Sequence, residues 1–248
     1  MRFGARLPPL SPGEVLVWRL DLVADAAVLD RLQRLLDDSE RARAARFGPE
    51  AVRRRFVVAR SMLPLLLGHY AGTDPGALPL ATGLRGKPAL PLGYRLQFNL
   101  AHTGDLAMVA LVSGEREIGI DVESVARDVD VQGVAAHAFS AAEQQALRDT
   151  PEHERHDAFA RIWTRKEAYI KARGEGFSYP TRSFTVSLLP GDEDALLVDD
   201  AYPGAAAHWR VGEITAPDGF NAALAVAGRR WAVREIGTLA PSIFIHTS

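Results

Sequence analysis

Three carboxylates and one lysine stand out because their types and spacing could hold a divalent cation and a phosphate group. Asp121 and Glu123 lie two residues apart, and Glu167 lies four residues before Lys171. Carboxylate oxygens favour a hard cation such as Mg²⁺, and the chain has no Cys and no His beside these residues. Each pair alone is typical of a solvated surface, but the two pairs together predict a magnesium site.

The second pair belongs to a predicted helix over residues 159–171. Good helix formers fill this segment, its apolar residues recur at helical spacing, and Gly174 marks its end. Residues four apart share one face of a helix, so Trp163, Glu167 and Lys171 are expected along the same side. Trp163 is interpreted as an aromatic anchor that packs the helix against the core.

The first pair belongs to a predicted strand over residues 118–123. Ile and Val alternate there with Gly and the two acids, so the apolar residues share one face and both carboxylates project from the other. Farther along, Ser140 and Glu143 have the spacing of a capping box at a helix start. Glu143 is therefore interpreted as a cap residue and not as a fourth metal ligand.

Four short motifs resemble those of one enzyme family. Residues 118–123 and 163–171 resemble the paired signature of the 4′-phosphopantetheinyl transferases, and the length is typical of the larger, surfactin-synthetase-activating type. Two further stretches resemble motifs of the same family: Arg85-Gly86-Lys87-Pro88 and Phe98-Asn99-Leu100-Ala101-His102-Thr103. The motifs stand in the family's order, and the resemblance covers residues 85–171.

The resemblance implies an α+β fold of two similar halves related by a pseudo-twofold axis. Each half would pack helices on an antiparallel sheet, and the substrate would lie in the cleft between the halves. Residues 1–115 would form the side that binds the adenylate and 3′-phosphate of coenzyme A. Residues 116–248 would carry the magnesium ion and the catalytic residues. Such a fused pair of halves is expected to be a monomer.

The resemblance also implies an activity and roles for the acidic residues. The enzyme would transfer the 4′-phosphopantetheine group of coenzyme A to a serine of an acyl or peptidyl carrier protein and release adenosine 3′,5′-bisphosphate. Magnesium would be held by Asp121, Glu123 and Glu167, and Glu167 would also be the candidate base for the serine hydroxyl. Lys171 would contact a phosphate oxygen and support catalysis as a point charge.

Cations for the 3′-phosphate of coenzyme A follow from matched positions in the resemblance. These cations are Arg60, Lys87 and His102, the last placed in a loop at a strand end. Lys166 ranks below Lys171 as a phosphate ligand, because a helix lysine usually faces solvent. The family commonly has serine on both sides of the histidine, whereas Ala101 and Thr103 flank it here. Ala101 cannot supply a hydrogen bond to the ligand, which bears on affinity more than on the reaction.

Composition limits the remaining function classes. The net charge of −2 argues against general nucleic-acid binding, and the absence of Cys excludes disulfides, thiol catalysis and thiolate metal sites. The N-terminal residues lack the apolar core of a signal peptide, and no apolar run is long enough to span a bilayer. A cytoplasmic protein is therefore expected. The family resemblance, in turn, implies carriers of secondary metabolism as partners, such as those of polyketide or nonribosomal peptide synthesis.

Two alternatives stay open at this point. A magnesium-dependent nuclease could also use a D-x-E strand and an E-x-x-x-K helix, although the low net charge and the coenzyme-A-like motifs disfavour it. A non-catalytic carrier-binding relative would be expected to have lost part of the acidic set, which is complete here.

Other segments predict the elements around the site. Helices are expected over 25–37, from a cap near Ser39 to Phe47, and over 49–70. Strands are expected over 14–20, 94–100, 106–112, 183–189, 195–198, 207–214, 221–227 and 231–236.

Overall fold

A computed structural model describes residues 7–82, 87–91, 93–126 and 129–244, which form two main sheets between two layers of helices. The helices are α1 (Ala26–Gln33), α2 (Asp38–Ala45), α3 (Glu50–Ala71), α4 (Val131–Ala138), α5 (Ala141–Asp149), α6 (Arg155–Arg173) and α7 (Ala205–His208). The strands are β1 (Glu14–Asp21), β2 (Ala81–Thr82), β3 (Pro88–Ala89), β4 (Leu96–Thr103), β5 (Leu106–Ser113), β6 (Ile118–Ser124), β7 (Phe184–Val186), β8 (Leu196–Asp199), β9 (Trp209–Ile214), β10 (Phe220–Ala227) and β11 (Ala232–Leu239). None of the helices in these ranges is long and apolar enough to cross a membrane.

The first main sheet has the strand order β11-β1-β5-β4 and separates two apolar clusters. Successive side chains of a strand point to opposite faces, so β5 serves both clusters. Val109 and Leu111 pack with α1 and α3, whereas Met108, Ala110 and Val112 face the second sheet. Helices α1 and α3 thus pack on the first sheet, and α6 packs on the second, as expected for the predicted α+β class.

Strand β11 joins the first sheet from the far end of the chain. It runs parallel to β1, with Glu14 opposite Ala232 and Leu20 opposite Leu239. The prediction was an antiparallel sheet, and this one pair of strands departs from it. Strands from both sides of residue 115 therefore share one sheet. The division into residues 1–115 and 116–248 stays a prediction.

The second main sheet has the order β6-β10-β9 and lies against α6. Small residues make this approach close: Ala223 and Ala225 of β10 face the helix, and Gly119 of β6 lies directly beneath it. A Cβ at Gly119 would lie 2.1 Å from the Ala168 carbonyl oxygen, so no other residue fits without moving the helix. This contact sets how far apart β6 and α6 lie.

Several predicted element boundaries are confirmed and others move. The capping box of Ser140 and Glu143 starts α5, and Gly174, with φ of 67°, ends α6. The N-cap of α2 is Asp37 and not Ser39, because the Asp37 carboxylate accepts a hydrogen bond from the Glu40 amide. The strand predicted over 207–214 begins only at residue 209, since the short helix α7 precedes it.

Lys166 was predicted to face solvent, but its side chain is buried, with 2% of the residue exposed. Its Nζ donates to both carboxylate oxygens of Glu143, at 2.9 and 2.8 Å, and to the Phe184 carbonyl oxygen at 2.7 Å. Glu143 also accepts from the amides of Ser140 and Val186. One buried ion pair thus joins α5, α6 and β7, and it takes Lys166 out of the set of phosphate ligands.

Replacing Lys166 with Met is expected to lower the free energy of unfolding by about 3–5 kcal/mol, because it leaves Glu143 charged, buried and unpaired. Urea denaturation measures the change. Arg34→Met is the control, since it breaks an exposed ion pair with Asp30 and should cost less than about 1 kcal/mol. Equal losses in the two variants would show that the buried pair has no special weight.

Candidate active site

The predicted acidic residues meet where β6 lies against α6. Asp121 is 5% exposed and points toward the helix, where the Lys171 Nζ lies 2.5 Å from its Oδ1. Its second oxygen, Oδ2, is buried and has no hydrogen-bond partner among the described residues. Glu123 and Glu167 are half-buried beside it. The strand and the helix therefore bring together the three carboxylates and the lysine.

The charges of this cluster act on one another. Burial raises the pKa of Asp121, and the nearby Glu123 raises it further, whereas Lys171 lowers it. Burial also raises the pKa of Glu167, with added contributions from Asp121 and Glu123 and an opposing one from Lys171. Like charges that raise each other's pKa are close in space. A further cation would relieve this repulsion.

The chemistry of this donor set fits a magnesium ion. Three carboxylates supply hard oxygen ligands, and the unpartnered buried Oδ2 of Asp121 is an oxygen that a cation would satisfy. Within the described parts of the chain, no group of three or more His, Cys, Asp or Glu side chains forms a ready metal site. The magnesium assignment to Asp121, Glu123 and Glu167 therefore stays a prediction.

Strand β4 borders the acidic cluster. The Thr103 hydroxyl donates to a Glu123 carboxylate oxygen at 3.4 Å, so the family-like hydroxyl beside the histidine contacts the acidic cluster. His102 lies within β4 and not in a loop as predicted, because the pairing of β4 with β5 continues to Thr103. It is exposed there, at the end of the strand.

The imidazole of His102 lies in a positive field. Loss of water around the ring, followed by the charges of Lys171 and Arg55, lowers its pKa, and Glu123 opposes this effect. Arg55 itself is held by a hydrogen bond to the Asp105 carboxylate at 2.8 Å. His102, Lys171 and Arg55 thus form a group of basic side chains beside the carboxylates.

Ala101 points away from this basic group. It is 4% exposed and packs in the apolar cluster between the two sheets, with residues of β5 and β6. Adjacent residues of a strand face opposite sides, so Ala101 and His102 cannot both face the same ligand. A serine at position 101 would therefore contact the core, and the expected loss of a ligand hydrogen bond has no support in the structure.

Lys87 connects the two elements that carry the acidic residues. Its Nζ donates to the Ile118 carbonyl of β6 and to the Lys171 carbonyl of α6, both at 2.9 Å. Burial lowers the pKa of Lys87 to about 8, with Glu117 raising it and Lys171 lowering it. Its predicted phosphate contact stays a prediction, and Arg85 and Gly86 of the same motif lie outside the described residues.

Arg60 is held elsewhere in the first half. Its guanidinium forms an ion pair with Glu40 of α2, and both line a cavity of about 250 Å³ between α2 and α3. Among the described residues, no hydrogen bond or ion pair joins Arg60 to Lys87 or His102. Its predicted role at the 3′-phosphate stays a prediction.

An apolar pocket opens next to Glu123. It has a volume of about 140 Å³ and is lined mainly by apolar side chains: Val125, Val129, Val134, Phe159, Ala160 and Trp163. Trp163 is half-buried and stacks on Phe159, with ring centroids 6.2 Å apart. It is therefore both a packing anchor, as predicted, and part of a pocket wall.

Known proteins share this arrangement of motifs. A family model described as ACPS, the 4′-phosphopantetheinyl transferase superfamily, matches residues 117–227. The 4′-phosphopantetheinyl transferase HetI of Nostoc is 36% identical over 225 residues, covering 90% of this chain and 91% of that protein. The chain belongs to the 4′-phosphopantetheinyl transferase superfamily.

Two more distant matches complete the comparison. The 4′-phosphopantetheinyl transferase Sfp of Bacillus subtilis is 25% identical over 173 residues, which cover 70% of this transferase and 75% of Sfp. The crystal structure of Thermotoga maritima holo-[acyl-carrier-protein] synthase is 21% identical, covers 46% of this chain and 64% of that one, and has a TM-score of 0.33. The match to HetI confirms the predicted family and enzyme class, and the helices and sheets of the structure confirm the α+β class.

The matched region of the transferase coincides with the acidic cluster. Residues 117–227 include β6, α6 and β10, and so contain Asp121, Glu123, Glu167 and Lys171. The basic residues on β4 and the Lys87 motif precede this region. The family match therefore includes both elements, β6 and α6, that the spacing of the carboxylates predicted to carry the site.

Two residues near the site had no role in the sequence reasoning. Asn99 stands in a motif in which only the histidine received a function, yet its side chain contacts the backbone of β6. Arg55 was one of many arginines between residues 41 and 55, and only the fold places it near His102. The motif itself was the available signal for Asn99, whereas no sequence pattern distinguished Arg55.

Proposed function

We propose that this protein transfers the 4′-phosphopantetheine group of coenzyme A to a serine hydroxyl of a carrier protein. Adenosine 3′,5′-bisphosphate is the other product. The observation that supports this reaction best is the cluster of Asp121, Glu123, Glu167 and Lys171, which lies inside the segment shared with the transferase superfamily.

Asp121, Glu123 and Glu167 would hold a magnesium ion. When bound, Mg²⁺ would supply positive charge to the pyrophosphate and to the oxygen of the leaving group. Lys171 would add a positive charge at the phosphate oxygens, since its Nζ already lies at the edge of the acidic cluster. Most of this site is fixed by β6 and α6, which keeps the charges positioned before the substrate binds.

Glu167 is the proposed base. The serine oxygen forms a bond to the phosphorus that bears pantetheine, and the bond from this phosphorus to the bridging oxygen breaks. The electron pair leaves with adenosine 3′,5′-bisphosphate, and the hydroxyl proton passes to Glu167 directly or through a water. The raised pKa of Glu167 makes it a better proton acceptor than an exposed glutamate.

The basic side chains of β4 and its neighbours would bind the phosphates of coenzyme A. His102 and Lys87 are the proposed ligands of the 3′-phosphate, as the motif positions imply, and Arg55 is added because it acts on His102. Arg60 remains a more distant candidate, since it is paired with Glu40. A phosphate beside His102 would favour its charged form against the effect of Lys171.

The apolar pocket next to Glu123 would take the pantetheine arm. It begins at a predicted metal ligand and continues along Trp163 and Phe159, so it leads away from the reacting phosphorus. Its lining is largely apolar, which suits the methyl and methylene groups of that arm.

Further properties belong to the same proposal. The protein would act as a monomer in the cytoplasm on carriers of secondary metabolism, with no nucleic-acid or membrane partner. The nuclease alternative is disfavoured by family membership and by the net charge of −2. The non-catalytic alternative is disfavoured because Asp121, Glu123, Glu167 and Lys171 are all present and together.

Incubation with coenzyme A and Mg²⁺ is expected to add one phosphopantetheine group to an apo carrier protein. Intact-mass spectrometry of a panel of fatty-acid, polyketide and nonribosomal-peptide carriers measures this addition and shows which carrier is preferred. Carriers whose acceptor serine is replaced by alanine are the control. No mass gain on any carrier, or nucleotide release from bare DNA or RNA, would reject the proposed function.

Asp121→Asn is expected to lower turnover at least about 100-fold, because it removes one charge from the site that stabilises the developing charge. The variant should fold, and its free energy of unfolding should not fall, since burial already disfavours the charged carboxylate.

Thermal unfolding provides a second measurement for this variant. Mg²⁺ with coenzyme A should raise the melting temperature of the wild type, as any ligand of the native state does, but not that of Asp121→Asn. Asp30→Asn, an exposed neutralisation on α1, is the control. Full turnover or an unchanged magnesium response in Asp121→Asn would remove Asp121 from the metal site.

The efficiency kcat/KM for coenzyme A is expected to fall as pH rises through about 8, because Lys87 loses its charge there. The sign follows from the lowered pKa: the amine is charged below that pH and neutral above it. Lys87→Met should be about tenfold less efficient at neutral pH, since a charged hydrogen bond is lost, and should lack this step. Lys87→Arg stays charged and should also lack it. An unchanged pH profile in both variants would contradict a role for the Lys87 charge.

A further inference from the structure

Strand β6 has different neighbours along its two edges. One edge pairs with β10 through a continuous antiparallel register from Ser124 to Ile118. The other edge faces β4, which lies alongside but belongs to the first sheet. The backbone groups on that second edge therefore need other partners, because a buried N–H or C=O is rarely left unpaired.

Two side chains supply partners for two of these groups, the Ile120 N–H and the Ile118 C=O. The Asn99 amide oxygen accepts a hydrogen bond from the Ile120 amide at 2.8 Å, and both residues are buried, at 4% and 0% exposure. Two residues earlier, the Ile118 carbonyl accepts from the Lys87 Nζ at 2.9 Å. At these two points, side chains of residues that precede β6 make the hydrogen bonds that a neighbouring strand would otherwise make.

The bonded amide is adjacent to the acidic cluster. Ile120 stands between Gly119, which touches α6, and Asp121, whose carboxylate faces Lys171. The bonded N–H belongs to the Gly119–Ile120 peptide, one residue before Asp121, so a shift of this peptide also moves the backbone that carries the Asp121 side chain. The Asn99 bond therefore holds the backbone of β6 next to Asp121, while the Gly119 contact sets the distance to α6.

The surroundings make Asn99 unusual for a purely structural residue. It projects toward the same side of β4 as Ala101, into a cluster that is otherwise apolar on β5, β6 and β10. A polar side chain buried in such a cluster loses its hydrogen bonds to water, and this loss is costly unless a hydrogen bond within the protein replaces them. Here that bond goes to the strand of the carboxylates.

We propose that Asn99 is a positioning residue, which holds β6 through the Ile120 amide so that Asp121 meets the substrate-bound cation and Lys171 in the reactive geometry. The inference rests on the proposed transfer reaction. Asn99 would not touch coenzyme A, and its effect would pass through the position of Asp121.

Asn99→Leu and Asn99→Ala test the proposal, the first with a similar shape and the second with room for a water on the Ile120 amide. Turnover is expected to fall about 100-fold in both, because small displacements of positioned groups have effects of this size. The KM for coenzyme A should change little, since its phosphate ligands remain. The Mg²⁺ concentration that gives half of the thermal stabilisation should rise.

Tyr70→Phe is the matched control. It removes the acceptor of the Trp18 indole N–H, a bond of 3.1 Å between β1 and α3, and so also deletes one internal hydrogen bond. Its turnover should stay within about twofold of the wild type, as is usual for substitutions away from a site. Urea midpoints and circular dichroism establish that the assayed variants are folded, and Asn99→Ala is the milder choice if Asn99→Leu is not.

The outcomes separate the two levels of the argument. Absence of transfer by the wild type would overturn the proposed function and this inference with it. An active wild type, with folded Asn99→Ala that retains full turnover and the same magnesium response, would overturn the inference alone. A loss equal to that of Tyr70→Phe would also overturn it, because stability alone would then explain the effect.

Discussion

The close contact between α6 and β6 is the constraint on which the site depends. At Gly119 the helix lies so near the strand that a single added carbon would collide with the Ala168 carbonyl. The alanines of β10 extend the same shallow surface under the helix. Because of this packing, Asp121 on the strand and Lys171 on the helix come within hydrogen-bond distance across the layer boundary. A bulkier strand would separate them.

The same closeness has an electrostatic cost. Burial and the neighbouring carboxylates raise the pKa of Asp121 and of Glu167, and Lys171 only partly offsets this effect. A core of ordinary side chains would be more stable at this position. Functional sites commonly depart from the most stable arrangement, and the strain is tolerated because the rest of the fold is consistent. Here the apolar cluster between the sheets and the two helix layers provide that support.

Local patterns predicted much of this arrangement. The alternation along residues 118–123 indicated the faces of β6, and the spacing from Trp163 to Lys171 indicated one side of α6, because both periods are properties of the backbone. The capping box at Ser140 identified a helix start for a similar reason. Neither pattern alone predicted that the strand and the helix meet; the two acidic pairs taken together did, and the family resemblance agreed with them.

Long-range partners account for what the sequence did not reveal. Lys166 looked like a surface lysine because its partner Glu143 lies on another helix, and only the fold brings them together. His102 was placed one element too far along, since β5 extends the ladder past the predicted end of β4. The hydrogen bond between Asn99 and the Ile120 amide likewise joins two different strands, so no local sequence pattern indicates it.

The parallel pairing of β1 with β11 has a consequence for how the chain becomes a protein. Strand β1 is synthesised long before β11, so the edge of β1 that pairs with β11 lacks this partner until β11 has been made. Contacts between residues so far apart in sequence slow folding. Until they form, the unpaired edge of β1 can pair with a strand of another chain. The first sheet is therefore complete only after β11 has joined β1.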